Sequence, residues 1–161
     1  MTLLPLLNAP LIVQLHVAAA LAALVLGPMA ILRRSRDIWH RRLGRIWVAA
    51  MATTALSSLA IHEARQIGPF SVIHLLSVFT LWQLWQAVRH ARAGRIAAHR
   101  GAMLGLYVYA IGVAGLFTLL PGRRMSLALF PGAPWAGFAM LATVLAAGLV
   151  WMQLAQRRAR G

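Results

Sequence analysis

Five apolar stretches, each close to the roughly 20 residues that a helix needs to cross a hydrocarbon core, set the terms on which this chain can fold. They cover residues 10–32, 43–62, 70–89, 101–120 and 135–155, and arginines collect in the segments between them. Bilayer hydrocarbon offers no hydrogen-bond partner to an open backbone, so each stretch must close its bonds internally as a helix. The fold class that follows is all-α: an integral membrane bundle of five transmembrane helices, forming a single domain over residues 1–161. The second stretch is the least apolar, because Thr53, Thr54, Ser57 and Ser58 interrupt it. Glycines recur along the fourth stretch at Gly101, Gly105, Gly112 and Gly115, a pattern that predicts close helix packing within the bundle.

Composition agrees and narrows the partners. The chain is 61% hydrophobic and only 11% charged, whereas a soluble domain carries about a quarter charged residues. A net charge of +14 would suit nucleic acid if the basic groups covered a folded face. Here they sit in short clusters beside apolar runs, the orientation signal of a membrane protein, which points to a lipid bilayer and no nucleic acid. Cysteine is absent, which excludes thiolate metal sites, iron–sulfur clusters and thiol catalysis. No basic residue precedes Arg33, so the first stretch reads as a retained helix rather than a cleaved signal.

Loop charge gives the orientation. Thirteen of the sixteen arginines fall in the first loop (Arg33 to Arg45), the third loop (Arg89 to Arg100) and the C-terminal tail. Only Arg65, Arg123 and Arg124 lie on the other side. This bias places the arginine-rich face and the C-terminus in the cytoplasm and the N-terminus outside. Anionic headgroups at that cytoplasmic face are the expected lipid partners. Trp39, Trp47, Trp82, Trp85 and Trp151 are expected near the cytoplasmic interface and Trp135 near the outer one.

Polar groups within a bilayer are costly and mark function by default. Histidines form the clearest set. His16 lies about six residues into the first helix, roughly 9 Å below its outer end. His62 and His74 fall at similar depth on the second and third helices, while His40, His90 and His99 fall at the cytoplasmic boundary. Thr54, Ser58 and His62 recur every four residues and so share a face, as do His74 and Ser77. Neutral imidazoles converging from separate helices suit haem b or a divalent metal. Glu63, beside His62, is placed to support a ligand or to act as a general base.

Several runs together resemble a known family. His16, Gly27-Pro28 and His40-Arg41-Arg42-Leu43-Gly44-Arg45 open the likeness, which continues through Ile61-His62, Gly68-Pro69-Phe70-Ser71 and Ile73-His74-Leu75-Leu76-Ser77. His99-Arg100, Met103, Leu106-Tyr107 and the run from Ala114 to Arg123 complete it. In combination they look like a bacterial membrane family catalogued as domain of unknown function 2306, over a core of about 13–125 that leaves the last helix outside. The resemblance implies a multi-helix membrane protein with histidines at the positions of His16, His40, His62, His74 and His99. It supplies no reaction, and His90 stands outside its pattern.

Three readings of function follow. The first is a redox-type membrane protein that binds haem or a metal through His16, His62 and His74 on the outer side and His40 and His99 on the inner. In it Glu63, Ser58, Thr54 and Ser77 support the ligands. The second is a zinc-dependent membrane hydrolase in which His16, His62 and His74 hold the ion and Glu63 activates water. The third is a non-enzymatic assembly factor, lipid-binding subunit or small transporter.

Overall fold

The computed structural model describes residues 4–33, 35–61 and 72–158. In chain order its helices are α1 (Leu4–Leu7), α2 (Leu11–Ile31), α3 (Ile38–Leu59) and α4 (Val72–Arg92). Then come α5 (Ile96–Gly105), a π-helical stretch (Leu106–Ile111), α6 (Gly112–Thr118), α7 (Arg124–Leu129) and α8 (Ala136–Arg158). The described residues contain no strand. Two compact units emerge, Ala9–Ile111 and Met1–Asn8 with Gly112–Gly161.

Within Ala9–Ile111, α2 packs on α3, α3 on α4, and α4 on α5, while α5 and the π stretch return to α2. This closes a four-helix arrangement. Asp37 starts α3 by accepting the His40 backbone N–H at 2.9 Å, satisfying a donor that the first turn leaves open. Gly94 ends the α4 segment with φ +71°. Its N–H bonds to Ala91 at 3.1 Å and the Arg95 N–H bonds to His90 at 2.9 Å, the paired closure that a left-handed residue after a helix allows.

The centre of this unit holds Ala23, Trp47, Met51, Leu84, Ala87, Leu106 and Ala110. Much of what is buried is small, including Ala19, Ala30, Ala55, Ser57, Ser58 and Ser77. Large apolar side chains point outward instead, with Leu11 80%, Leu32 75% and Leu75 73% exposed. A water-soluble bundle would bury such residues. Small residues inside and bulky apolar ones outside is the arrangement that close packing in lipid favours.

The helices Leu11–Ile31 and Ile96–Thr118 are long and apolar enough to cross a membrane, and Ala136–Ala147 is a shorter apolar run. At 22 and 21 residues, α3 and α4 have the length for a crossing, but arginines at one end and hydroxyls within α3 lower their apolarity. Helix α3 starts at Ile38, five residues ahead of the stretch read from hydropathy, because the arginine-bearing first turns are helical too.

Two expectations need correction. Trp47 does not turn its ring outward as an interfacial anchor would: it is 1% exposed and its indole N–H donates to the Ala23 carbonyl at 2.9 Å. Only half of the glycine series packs against another helix. In the second unit, a Cβ on Gly112 or Gly115 would meet Leu145 or Leu141 of α8 at 3.3 and 2.8 Å, whereas Gly101 has nothing within 4 Å and Gly105 meets only Tyr109 of the following turn.

Candidate functional site

The inward faces of α3 and α4 change character along their length. Trp47 and Met51 on α3, with Leu84 and Ala87 on α4, belong to the apolar centre. Toward the other end, Ser57 and Ser58 on α3 and His74, Ser77 and Thr80 on α4 are all buried. His74 lies thirteen residues before Ala87, which is about 20 Å along the helix axis. The unit therefore carries a buried polar layer at one end and an apolar plug between it and the arginine-rich end.

His16 joins the polar layer from α2. Its Nδ1 lies 3.0 Å from the Ser57 hydroxyl, which itself lies 2.6 Å from the Thr53 carbonyl and 3.1 Å from that of Thr54. A hydroxyl has one proton and carbonyls only accept. The Ser57 proton therefore goes to the backbone, and the His16 Nδ1–H donates to the Ser57 oxygen. In the neutral ring this leaves the lone pair on Nε2. Thr54 and Ser77 bond back to the Ala50 and Ile73 carbonyls at 2.9 and 3.0 Å, the usual way for a hydroxyl to be satisfied within a helix.

At the opposite end, the His99 Nδ1 lies 2.9 Å from the Ala87 carbonyl. That oxygen can only accept, so this ring also carries its proton on Nδ1 and its lone pair on Nε2. His40 and His90 are half-buried, and the Nδ1 atom of each is buried without a hydrogen-bond partner. Among the described residues no three His, Asp or Glu side chains come together as a metal-ligand group. His40, His90 and His99 thus share an end of the bundle but do not form one three-ligand centre. His62 and Glu63, expected to complete the outer set, lie outside the described residues.

The arginine-rich end is ordered by its one described carboxylate. Asp37 accepts from the Arg33 guanidinium, with Nε–Oδ1 at 3.0 Å, and from the His40 backbone. The Arg33 guanidinium, then the His40 N–H, hold the Asp37 carboxyl well below the usual carboxylate range, and Arg33 is raised in return. Arg42 sits over the Trp39 ring at 5.6 Å and Arg89 over Trp85 at 4.7 Å. Both indoles are more than half exposed, a placement suited to a headgroup boundary.

Two site residues escaped sequence reasoning. Ser57, not the expected Ser58, contacts His16, since periodicity gives a face but not which of two adjacent serines meets a neighbouring helix. The Ala87 carbonyl leaves no trace in residue type at all.

The family model described as "Predicted membrane protein (DUF2306)" matches residues 13–154. The chain belongs to that family. Membership in DUF2306 makes it a predicted membrane protein of unknown function. The match runs beyond residue 125 through α7 and into α8, so the last helix lies within the family region rather than outside it. No match was found among curated proteins or among solved structures.

Proposed function

We propose that this DUF2306 protein is a multi-pass inner-membrane protein that binds haem b through histidines at the two ends of its helical bundle, in a redox role. The observation that carries this reading is the state of His16 and His99. Each commits Nδ1–H to an oxygen acceptor, and each therefore keeps a lone pair on Nε2, the atom that would ligate in this reading. A metal-binding imidazole is oriented in this way, its second nitrogen donating to a carbonyl or another acceptor. Haem iron can be held by one or two protein side chains, fewer ligands than a zinc centre requires.

In this reading His16 and His74, with His62, provide the outer ligands and His99 with His40 the inner ones. Ser57, Ser58, Thr54 and Ser77 line the outer site, and Glu63 stands beside it in sequence. Bound haem would supply one-electron chemistry, while the chain's residues orient its ligands and exclude water. Five crossings with the N-terminus outside follow from the arginine bias, with α3 and α4 crossing despite their polar residues because those face the bundle. The exposed arginines of the cytoplasmic end then meet anionic headgroups, each contributing about 1 kcal/mol near such a surface.

The test is the visible spectrum and iron content of protein purified from haem-replete cells. A Soret band that moves on reduction is the expected result. A colourless, iron-free preparation overturns the haem assignment.

A further inference from the structure

The second unit carries a surface pocket with no histidine in its lining. It is an open depression of about 440 Å³, lined by Leu120, Pro121, Gly122, Arg123 and Trp135. Its wall is a turn in which the Arg123 N–H bonds to the Leu120 carbonyl at 3.2 Å and Gly122 adopts φ +81°. Proline followed by a glycine with positive φ is the pairing a type II turn demands, so the wall is preformed rather than assembled by a ligand.

The chemistry of the lining is one-sided. Arginine and tryptophan side chains donate hydrogen bonds and accept none. Among the described residues, neither the half-buried Arg123 guanidinium nor the indole N–H of the 61% exposed Trp135 meets an acceptor. The chain has two acidic side chains, Asp37 and Glu63, and Asp37 is bonded to Arg33 in the other unit. Leu120 and Pro121 supply the apolar remainder of the wall. A pocket with a cation, a second donor and an apolar side calls for an anionic acceptor attached to an apolar body.

We infer that this pocket binds a phosphate group, with the Arg123 guanidinium and the Trp135 indole N–H as its donors. Arginine suits the task because its planar fork presents paired N–H groups to two phosphate oxygens. In a membrane protein the abundant source is a phospholipid headgroup, and a soluble phosphate offers the same oxygens. The site rests on the membrane reading but not on haem, so a failed spectrum leaves it untouched.

The experiment uses the full chain labelled with 5-fluorotryptophan, the Trp135 resonance being assigned with Trp135→Phe. In one arm the protein sits in phosphatidylcholine bicelles into which phosphatidylglycerol is titrated. In the other, inorganic phosphate is added to protein in an uncharged detergent. A saturable shift of the Trp135 signal with phosphatidylglycerol alone identifies a lipid site, and a shift with inorganic phosphate identifies a soluble phosphate as sufficient. In either case Arg123→Gln weakens the response about tenfold, the effect of losing a charge-assisted bond. Absence of a shift in both arms, or a shift that survives Arg123→Gln undiminished, overturns the proposal.

Discussion

The Tyr107 hydroxyl donates to the Leu24 carbonyl at 3.1 Å, the acceptor that Pro28 deprives of its helical N–H four residues on. Proline inside a helix removes one backbone donor, and within lipid the freed carbonyl has no water to turn to. Here the π stretch supplies the replacement, since Tyr107 projects from it. One residue earlier on α2, the Ala23 carbonyl takes the Trp47 indole N–H. Gly27 lies between the two aromatic rings, without a side chain to hold them off.

The bond gives a double-mutant cycle. Tyr107→Phe should cost about 1 kcal/mol of unfolding free energy by stranding the Leu24 carbonyl. In a Pro28→Ala background the restored N–H satisfies that carbonyl, and the cost should fall below about 0.5 kcal/mol. Denaturant titration of purified protein measures both. Equal costs in the two backgrounds would show that the hydroxyl does not replace the missing donor.

Glycine substitutions should separate by position. A Cβ at Gly27 would collide with the Tyr107 ring and approach the Trp47 Nε1 to 3.0 Å. Both rings are tethered by hydrogen bonds, so Gly27→Ala should cost about 1–3 kcal/mol through overpacking. Gly101→Ala faces open space and should be neutral or stabilising by up to about 1 kcal/mol. Thermal unfolding of the two variants ranks them, and the reverse order would contradict this packing.

Since the chain has no cysteine, single cysteines report topology cleanly. Gly132→Cys should react with a membrane-impermeant maleimide in intact spheroplasts. Ser35→Cys should react only after permeabilisation. Labelling of both from outside would rule out five crossings, and the opposite pattern would invert the orientation.

His99 separates ligation from positioning. The amide N–H of asparagine can replace the Nδ1–H that bonds to Ala87, but nothing in asparagine replaces Nε2. Spectra and melting curves of His99→Asn should therefore show pigment lost and stability near wild type. His99→Ala should lose both, with a stability cost of about 1–2 kcal/mol. Pigment retained in His99→Asn would remove this residue from the ligand set.

Asp37 makes a pH prediction of defined sign. Its folded carboxyl is depressed by Arg33 and the His40 N–H, so its contribution is fully present above the unfolded value near 4. That contribution is lost as pH falls below the usual carboxylate range toward the folded value. Stability attributable to Asp37 should be flat from pH 8 to 5 and decline only in more acidic buffer. Asp37→Asn keeps a capping oxygen and should be milder than Asp37→Ala. A difference between wild type and Asp37→Asn that vanished between pH 7 and 5 would contradict the depressed value.

Sequence by itself determined the helical class and the membrane setting, because both rest on backbone bonding and on apolar length, which are local properties. It also named the histidines, since an imidazole in an apolar stretch is conspicuous wherever its helix packs. Tertiary structure alone decided what each polar group meets. Ser57 rather than Ser58 reaches His16, His99 turns to a carbonyl twelve residues back, and Trp47 turns its ring into the core. Each outcome depends on the rotation and depth of one helix against another, and a shift of one residue turns a helical side chain by about 100°. No hydropathy pattern carries that angle. The small residues did permit the close approach, but Gly27 and Gly101 look alike in sequence and differ only in whether an aromatic ring occupies the space beside them.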